Sequence, residues 1–289
     1  MQSITYPLIF ILGSAIGSFL NVLIDRLPKD ESINGRSHCD FCKKKIAWYD
    51  MFPVLSFFIL GGKTRCCHKK MSWQYPLIEL VTGISFLLIF NLKFSHLRQG
   101  FGGQAIFNQF LNLNDLILNS NFKFQISNLI ILCGIVSCLI VIFVSDLKYH
   151  LISDYILLTL FVFSVLFNLA GFFRVGIKPT PTLIQPIVSG LVISFPIFLI
   201  FFISKERAMG LGDVYLAGIM GFLLGWQAGF LALYIAFVTG AVFGLIAIIF
   251  KNKKLKSKIA FGPFLVIGTV VMLGWGERIL DVIKRIYRL

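Results

Sequence analysis

Seven stretches of this 289-residue chain are long, apolar and almost free of charge. Six of them contain no charged side chain, and the seventh contains a single acid, Glu79. Apolar runs of roughly 18 or more residues are typical of helices that cross a membrane, because about 20 residues span the hydrocarbon core. The runs cover residues 3–24, 71–92, 127–145, 155–173, 183–204, 214–250 and 259–276.

The run at 214–250 has 37 residues, which is nearly twice the length that one crossing needs. We therefore predict a break near Gly225-Trp226-Gln227, which brings the number of predicted spans to eight. Only 14% of the residues are charged, whereas about 25% is usual for a soluble domain. The sequence therefore predicts an all-α, polytopic membrane protein with about eight transmembrane helices.

This pattern divides the chain into three regions. Residues 1–24 form the first transmembrane helix, and Pro28 ends it. Residues 25–72 form a basic cytoplasmic loop between helices one and two, and they hold four of the six cysteines. Residues 73–289 form the remaining transmembrane bundle, with a long outer loop at 93–126 that is rich in Asn, Gln, Gly and Phe. No internal repeat of fixed period is evident.

The net charge of +14 is spread in the way that orients membrane proteins, and it does not indicate a nucleic-acid partner. Lys and Arg are enriched in cytoplasmic loops. With the N-terminus outside, the loops predicted inside hold 18 of the 27 basic residues. These loops are 25–70, 146–150, 205–212 and 251–258. We expect a multi-pass protein of the cytoplasmic membrane, with membrane lipid as a partner and no nucleic acid.

Four cysteines of the predicted cytoplasmic loop have a spacing typical of a metal site. "HCDFC" places Cys39 and Cys42 with two residues between them, and "TRCCH" adds Cys66, Cys67 and His68. Paired thiolates of this kind bind zinc tetrahedrally, and cytoplasmic thiols stay reduced. We expect the four cysteines to hold a structural zinc ion, with His68 as a substitute for one of the adjacent pair. The alternative is a loop with free thiols and no metal.

Two carboxylates lie at the ends of predicted spans on the same side of the membrane. Asp146 ends span three in "IVIFVSDLKYHLISD", and Asp213 begins span six in "GLGD". Two facing carboxylates do not both ionise easily, so the pair supplies an acid and a base. Such a pair can activate water and protonate the amine that leaves a peptide. Gly210 and Gly212 allow the tight turn that lets Asp213 project into a cavity.

The residues leave other interpretations of the acids open. Asp213 also suits a helix cap, since Asp is favoured at helix N-termini, and Asp146 can simply follow a helix. Glu79 within span two is expected to be an interhelical hydrogen-bonding partner. Asp154, one turn into span four, competes with Asp146 for the role of the first aspartate. Intramembrane acids also occur in ion or proton transporters, although transporters often contain repeats.

Motifs that follow one another along the whole chain carry a family resemblance. They are "GSAIGSFLNVLIDRLP", "CDFC" with "AWYDMFPVLSF", "MSWQYPLIELVTG", "SDLKYHLISD", "GLGD" and "AFGPFL". In this order they resemble the type IV prepilin peptidases, the leader peptidases and N-methyltransferases of the GxGD intramembrane aspartic protease group. The resemblance implies that Asp146 and Asp213 are the catalytic pair.

The resemblance also implies substrates, a cofactor and a location. The family cleaves the basic leader of prepilins and pseudopilins at the cytoplasmic face of the bacterial inner membrane. It then methylates the new N-terminus, with S-adenosylmethionine as the methyl donor. The methylation is associated with the N-terminal region that contains the zinc loop.

Three positions depart from the family pattern. Thr64 stands where the second cysteine pair normally begins, so that Cys66 or His68 must supply the missing zinc ligand. Ser153 and Ala260 stand where the family usually has proline, and we expect these two to adjust helix ends only. A peptidase without methyltransferase activity is therefore the alternative to the bifunctional enzyme.

Overall fold

A computed structural model gives the fold of the chain. It describes residues 2–100 except 34, 36 and 40, and then 120–174, 184–206, 209–251 and 260–287. Within these ranges the chain is almost entirely helical outside the cysteine loop, where two isolated β-bridges occur. The α-helices are α1 (Gln2–Arg26), α2 (Leu55–Ile59), α3 (Gln74–Gly100), α4 (Ser120–Tyr149), α5 (Asp154–Arg174), α6 (Ile184–Ser204), α7 (Leu211–Lys251) and α8 (Gly262–Tyr287).

Five helices among the described residues are long and apolar enough to cross a membrane. The apolar segments are Thr5–Lys29, Gln74–Asn91, Ile126–Tyr149, Ile184–Ser204 and Leu211–Ile246. Large apolar side chains such as Leu191 and Phe202 are mostly exposed on the isolated protein, as expected for surfaces that face lipid. The chain is therefore an all-α, multi-pass membrane protein, and the total of eight spans stays a prediction.

Helix α7 is interrupted at the predicted point. Its apolar segment Leu211–Ile246 has 36 residues, which would be about 54 Å long as one straight helix, against a hydrocarbon core of about 30 Å. Gly225 breaks the helix with φ 78° and ψ 173°, a backbone conformation that is essentially restricted to glycine. The prediction of a break near Gly225 is confirmed.

The chain forms two compact units, Met1–Val141 and Ile142–Leu289. In the first unit, α1 and α3 approach each other through glycines. A Cβ atom at Gly13 would lie 2.9 Å from Gly83 Cα, and one at Gly17 would lie 2.8 Å from Glu79 Cα. Small residues allow this close approach, which lets dispersion contacts hold helices together in lipid.

In the second unit, α7 packs against α6 and α8, and less extensively against α5. Glycines again mark the closest points. A Cβ at Gly221 would lie 2.7 Å from the Ser189 carbonyl oxygen, and one at Gly268 would overlap the Ala232 carbonyl. These tight contacts fix the positions of the helix ends that carry the candidate active site.

Several helices extend beyond the apolar runs that predict them. Residues 93–100 and 120–126, which belong to the expected outer loop 93–126, continue α3 and α4 as helix. Residues 101–119 of that loop lie outside the described residues, as do 175–183, 207–208 and 252–259. Polar residues after a span do not themselves end a helix, and the segment 93–126 contains no proline that would do so.

Candidate active site and metal centre

Asp146 lies in the last turn of α4, just before a short connection to α5. His150 closes the helix in the left-handed conformation, with φ 53°, and donates its N–H to the Asp146 carbonyl at 3.0 Å. The Ser145 hydroxyl donates to the Leu151 carbonyl at 3.0 Å. These contacts hold the turn against the helix end, and the Asp146 side chain is buried at 5% exposure.

Asp213 is the third residue of α7, and its carboxylate closes the first turn. Its Oδ2 accepts the N–H of Gly210 at 3.2 Å, and its own N–H donates to the Gly210 carbonyl at 3.2 Å. This reciprocal pair satisfies N–H groups that a helix start leaves without partners. The side chain is 8% exposed. The capping interpretation therefore describes one real contact of Asp213, and the second carboxylate oxygen stays available for other chemistry.

Ile152, in the connection that follows Asp146, packs against the start of α7, which carries Asp213, and against the start of α8. A Cβ at Gly212 would lie 3.1 Å from Ile152 Cβ. A Cβ at Gly262 would lie 3.2 Å from Ile152 Cδ1 and only 2.5 Å from Asp146 Oδ2. Gly212 and Gly262 thus contact the same side chain, and Asp146 is close enough for its charge to act on Asp213. The fold brings together two carboxylates that are 67 positions apart in the sequence.

The Asp146 carboxylate has one oxygen, Oδ2, without a well-formed hydrogen bond among the described residues, although the Gly262 backbone acts on the group. This oxygen is buried. A buried polar atom without a partner is costly and calls for an explanation. A reacting water molecule would supply the missing donor, and a protonated Oδ2 would itself donate to a peptide carbonyl.

The other acids have different surroundings. Asp154 is the first residue of α5 and is exposed, which favours Asp146 as the first member of the pair. Glu79 is buried and accepts the Val54 N–H at 2.7 Å, which joins α3 to the residue before α2. This contact agrees with the expectation that Glu79 is a hydrogen-bonding partner. Val54 has φ 62° and ψ −51°, which is strained for a β-branched residue, and the Glu79 contact helps to hold it.

A groove of about 870 Å³ lies between α5, α6 and α7 in the second unit. Most of its walls are apolar side chains or glycine, with Asp154 and Ser194 among the few polar residues. Val214 and Tyr215, which directly follow Asp213, form part of the lining. The groove therefore begins next to a candidate catalytic carboxylate.

The cysteine loop gathers four sulfur atoms. The Sγ atoms of Cys39, Cys42, Cys66 and Cys67 all lie within 4.8 Å of one another. Neighbouring pairs are 3.8 Å apart for Cys39–Cys67, 3.2 Å for Cys42–Cys66 and 4.0 Å for Cys66–Cys67. Zinc–sulfur bonds of about 2.3 Å in a tetrahedron require sulfurs separated by about 3.8 Å. The four thiols therefore fit a zinc ion, and adjacent Cys66 and Cys67 both belong to the set.

The thiols differ in their affinity for protons. Burial acts to raise the pKa of Cys39, but hydrogen bonds from backbone N–H groups of its turn lower this pKa to about 6. Hydrogen bonding with Cys42, together with burial, raises the pKa of Cys66 to about 12. The hydroxyl of Thr64 lowers the pKa of Cys67. The lowered pKa of Cys39 favours its thiolate, which is the form that binds metal.

The remaining candidates stand apart from this cluster. His68 is not among the residues that share the group of four sulfur atoms in the described chain, so the expected substitution by His68 is not seen. Its left-handed backbone, with φ 56°, closes the turn after Cys67. Cys133 and Cys138 lie on α4 as free thiols and do not belong to this group of four sulfur atoms.

Two residues of the candidate active site were not expected from the sequence. Gly262 leaves the space that the Asp146 carboxylate fills, and Ile152 separates Gly212 from Gly262. Neither Gly262 nor Ile152 has a titratable or polar side chain, so residue type gives no sign that they belong to the site. The only signal was the motif "AFGPFL", which contains Gly262 but does not say what the glycine faces.

Comparison with known proteins agrees with this geometry. A sequence profile for the bacterial peptidase A24 N-terminal domain matches residues 11–93, which contain the cysteine loop. A second profile, for the type IV leader peptidase family, matches residues 133–245, which contain both aspartates. No solved structure matches the chain significantly.

Relatives along most of the chain are prepilin leader peptidase/N-methyltransferases. The protein from Pectobacterium carotovorum subsp. carotovorum is 30% identical, over 90% of this chain and 89% of that protein. The one from Klebsiella pneumoniae is 32% identical, over 76% of this chain and 85% of that protein. The one from Aeromonas salmonicida is 28% identical, over 95% of this chain and 92% of that protein. The chain belongs to the type IV leader peptidase family.

Proposed function

We propose that this chain is a prepilin leader peptidase and N-methyltransferase, and that leader cleavage is carried out by Asp146 and Asp213 as an aspartic endopeptidase. The observation that carries the proposal is the packing of the α4–α5 connection, which follows Asp146, against the starts of α7 and α8: Ile152 lies close to Gly212, next to Asp213, and Asp146 itself lies close to Gly262. It gives two buried carboxylates within electrostatic reach, one of which has an oxygen without a well-formed hydrogen bond among the described residues. Homologues of the same name support the substrate class, prepilins and pseudopilins.

The chemistry needs only the two carboxylates and water. One aspartate accepts a proton from water as the water oxygen bonds to the scissile carbonyl carbon. The other, which holds the proton that the pair shares, protonates the carbonyl oxygen. Collapse of this intermediate breaks the C–N bond while the amine nitrogen takes up a proton. One water is consumed, and a carboxylate and a free amine are formed.

The groove beside Asp213 suits the apolar segment that follows a pilin leader. Most of its lining is apolar, so a hydrophobic helix that entered it from the membrane would stay largely in an apolar environment. Val214 and Tyr215 then bring the start of that helix to Asp213. We infer from the distribution of Lys and Arg that this end faces the cytoplasm, in the bacterial inner membrane.

We propose that the four cysteines hold a structural zinc ion and that the first unit serves methylation. Zinc bound there would supply folding energy to a loop too small for its own core. S-adenosylmethionine would supply the methyl group to the new amine and would leave as S-adenosylhomocysteine, while the amine gives up one proton. A mature pilin that carries no added methyl group would instead support the peptidase-only alternative.

The proposal is tested by leader cleavage kinetics with the full-length chain in detergent. Asp146→Asn and Asp213→Asn should each reduce the cleavage rate by about 10³-fold or more, the scale of losing an essential acid or base. Asp281→Asn, an exposed acid on α8, is the matched control and should cleave normally. Unchanged cleavage by either variant of the pair would refute the assignment, provided that both variants elute from size exclusion as the parent does.

The inferred orientation has its own measurement. Cys66 is exposed, and after zinc removal it should react with a membrane-impermeant maleimide in inside-out vesicles. Labelling confined to right-side-out vesicles would place the loop on the opposite face.

A further inference from the structure

The cysteine loop contains the same eight-residue turn twice. Residues 38–45 and residues 63–70 each close with an antiparallel bridge between their end residues. In each turn the N–H of the second residue donates to the carbonyl of the seventh: Cys39 to Lys44 at 2.8 Å, and Thr64 to Lys69 at 2.9 Å. The N–H of the sixth residue donates to the carbonyl of the second: Lys43 to Cys39 at 2.9 Å, and His68 to Thr64 at 2.8 Å. The same pattern of hydrogen bonds therefore occurs in both turns, and equivalent residues are 25 positions apart.

The two turns agree in backbone but differ in the positions of their sulfurs. The sixth residue is left-handed in both, with φ 57° and 56°. The offset aligns Cys42 with Cys67, whereas it aligns Cys39 with Thr64. Thr64 therefore occupies the backbone position from which the first turn presents its first sulfur. The fourth sulfur of the cluster comes instead from Cys66, at the fourth position of the second turn.

The side chain of Thr64 points at the cluster. Its Oγ1 lies 3.1 Å from Cys67 Sγ, in a contact where either atom can donate, and its hydroxyl also donates to the Lys69 carbonyl at the longer distance of 3.4 Å. The Sγ of Cys66 lies 3.2 Å from Cys42 Sγ, so Cys66 contacts the first turn. A hydroxyl that donates to a thiolate stabilises its negative charge, as outer hydrogen bonds do at metal sites generally.

We propose that Thr64 occupies a position from which a cysteine could bind the metal. In this chain Cys66 supplies the fourth metal-binding sulfur instead, and Thr64 supports Cys67 by a hydrogen bond. A sulfur placed at position 64 would replace that of Cys66. The inference rests on the proposed zinc site. It does not depend on the assignment of the aspartates, because its measurements report metal binding. It identifies Thr64 as a positioning residue for the metal and explains how a chain without a second C-x-x-C pair keeps four sulfur ligands.

The test is a ligand transfer between positions 66 and 64 in the full-length protein. Zinc per chain is measured by mass spectrometry after competition with a chelator, and cobalt substitution reports the number of thiolates through its absorption bands. Cys66→Ser should lower zinc affinity by more than about 100-fold, since it removes a ligand and outer-shell losses alone reach that scale. The double variant Thr64→Cys/Cys66→Ser should recover most of that affinity, with a four-thiolate cobalt spectrum.

Two further variants complete the experiment. Thr64→Val keeps the shape and all four cysteines but removes the hydroxyl, and should lower zinc affinity by about tenfold. Cys138→Ser, a buried α4 thiol outside the cluster, should bind zinc like the parent. The proposal is overturned if the double variant binds zinc no better than Cys66→Ser, if Cys66→Ser keeps parental affinity, or if Thr64→Val is indistinguishable from the parent. Leader cleavage by each variant, measured in parallel, shows that the chain is folded.

Discussion

The sulfur atoms of the cysteine loop and the carboxylates of the aspartate pair are brought close together in different ways. The sulfur ligands lie within two short turns, and backbone hydrogen bonds inside each turn set their directions. The aspartates lie 67 positions apart, and they meet because three segments pack around Ile152 with no room for a Cβ at Gly262. The first site is therefore organised locally, and the second depends on tertiary packing of helices.

This difference has consequences for how each site responds to change. A locally organised site should tolerate distant substitutions and fail only when a ligand or its turn is altered. A site organised by packing should be sensitive to small increases in volume at residues with no chemistry. Since the sites lie in separate compact units, we expect their functions to be separable.

The largest effect is expected for Cys42→Ser. Removal of this ligand should lower zinc affinity by more than about 100-fold, while the leader-cleavage rate stays within about threefold of the parent because the aspartates lie in the other unit. Metal content and initial cleavage rates on the same preparation check both parts. A cleavage rate that falls together with the zinc content would break the comparison.

Gly262→Ala should be nearly as damaging to cleavage. The added Cβ would lie 2.5 Å from Asp146 Oδ2, so the carboxylate must move, and a displacement of about 1 Å can cost about 100-fold in rate. Gly274→Ala on the same helix is the matched control, because a Cβ there meets nothing within 4 Å. Equal cleavage rates for the two variants would show that the space at Gly262 is not needed.

Gly225→Ala tests how far the second unit depends on its helix geometry, without changing a residue of the candidate active site. The break in α7 uses a conformation with φ 78° that alanine adopts only under strain, so we expect a loss of about 1–3 kcal/mol in unfolding free energy. Nothing lies within 4 Å of the added Cβ, so the loss would be conformational. Thermal unfolding in detergent checks it. A melting temperature equal to that of the parent would mean that the break is not required.

Ser153→Pro should have the smallest effect. Ser153 precedes the first residue of α5 and its carbonyl receives the first N–H groups of that helix, a role that proline also fulfils. We expect the cleavage rate to stay within about twofold, because proline is tolerated at helix starts. A large loss in the cleavage assay would indicate that the neighbouring Ile152 has been displaced, and would make the packing around it even more critical than the structure indicates.

Much of the fold follows from the sequence, because lipid imposes one requirement on every span. Uncharged runs predict the helices, and the excess length of 214–250 predicts the break at Gly225. Helix ends beyond the membrane are less predictable, since residues 93–100 and 120–126 lie outside the uncharged runs and still continue as helix. The pattern of uncharged residues does not mark these ends.

The candidate sites were predictable to the extent that they depend on side-chain type. Cysteine spacing predicts the candidate metal site, and the predicted membrane topology places Asp146 and Asp213 on one face. The participation of Cys66, the role of Thr64 and the repeated turn depend on backbone hydrogen bonds that no residue pattern displays. Ile152 and Gly262 depend on volume, which acts only after the helices have packed.

The central claim is that the aspartate pair removes the leader, and intact-mass measurement of a co-expressed prepilin tests it most directly. With the parent chain, the pilin should lose its leader and gain a methyl group. With Asp213→Asn it should keep the full leader, and with Cys42→Ser it should lose the leader without gaining the methyl group. A pilin that is fully cleaved by the Asp213→Asn chain would contradict the account.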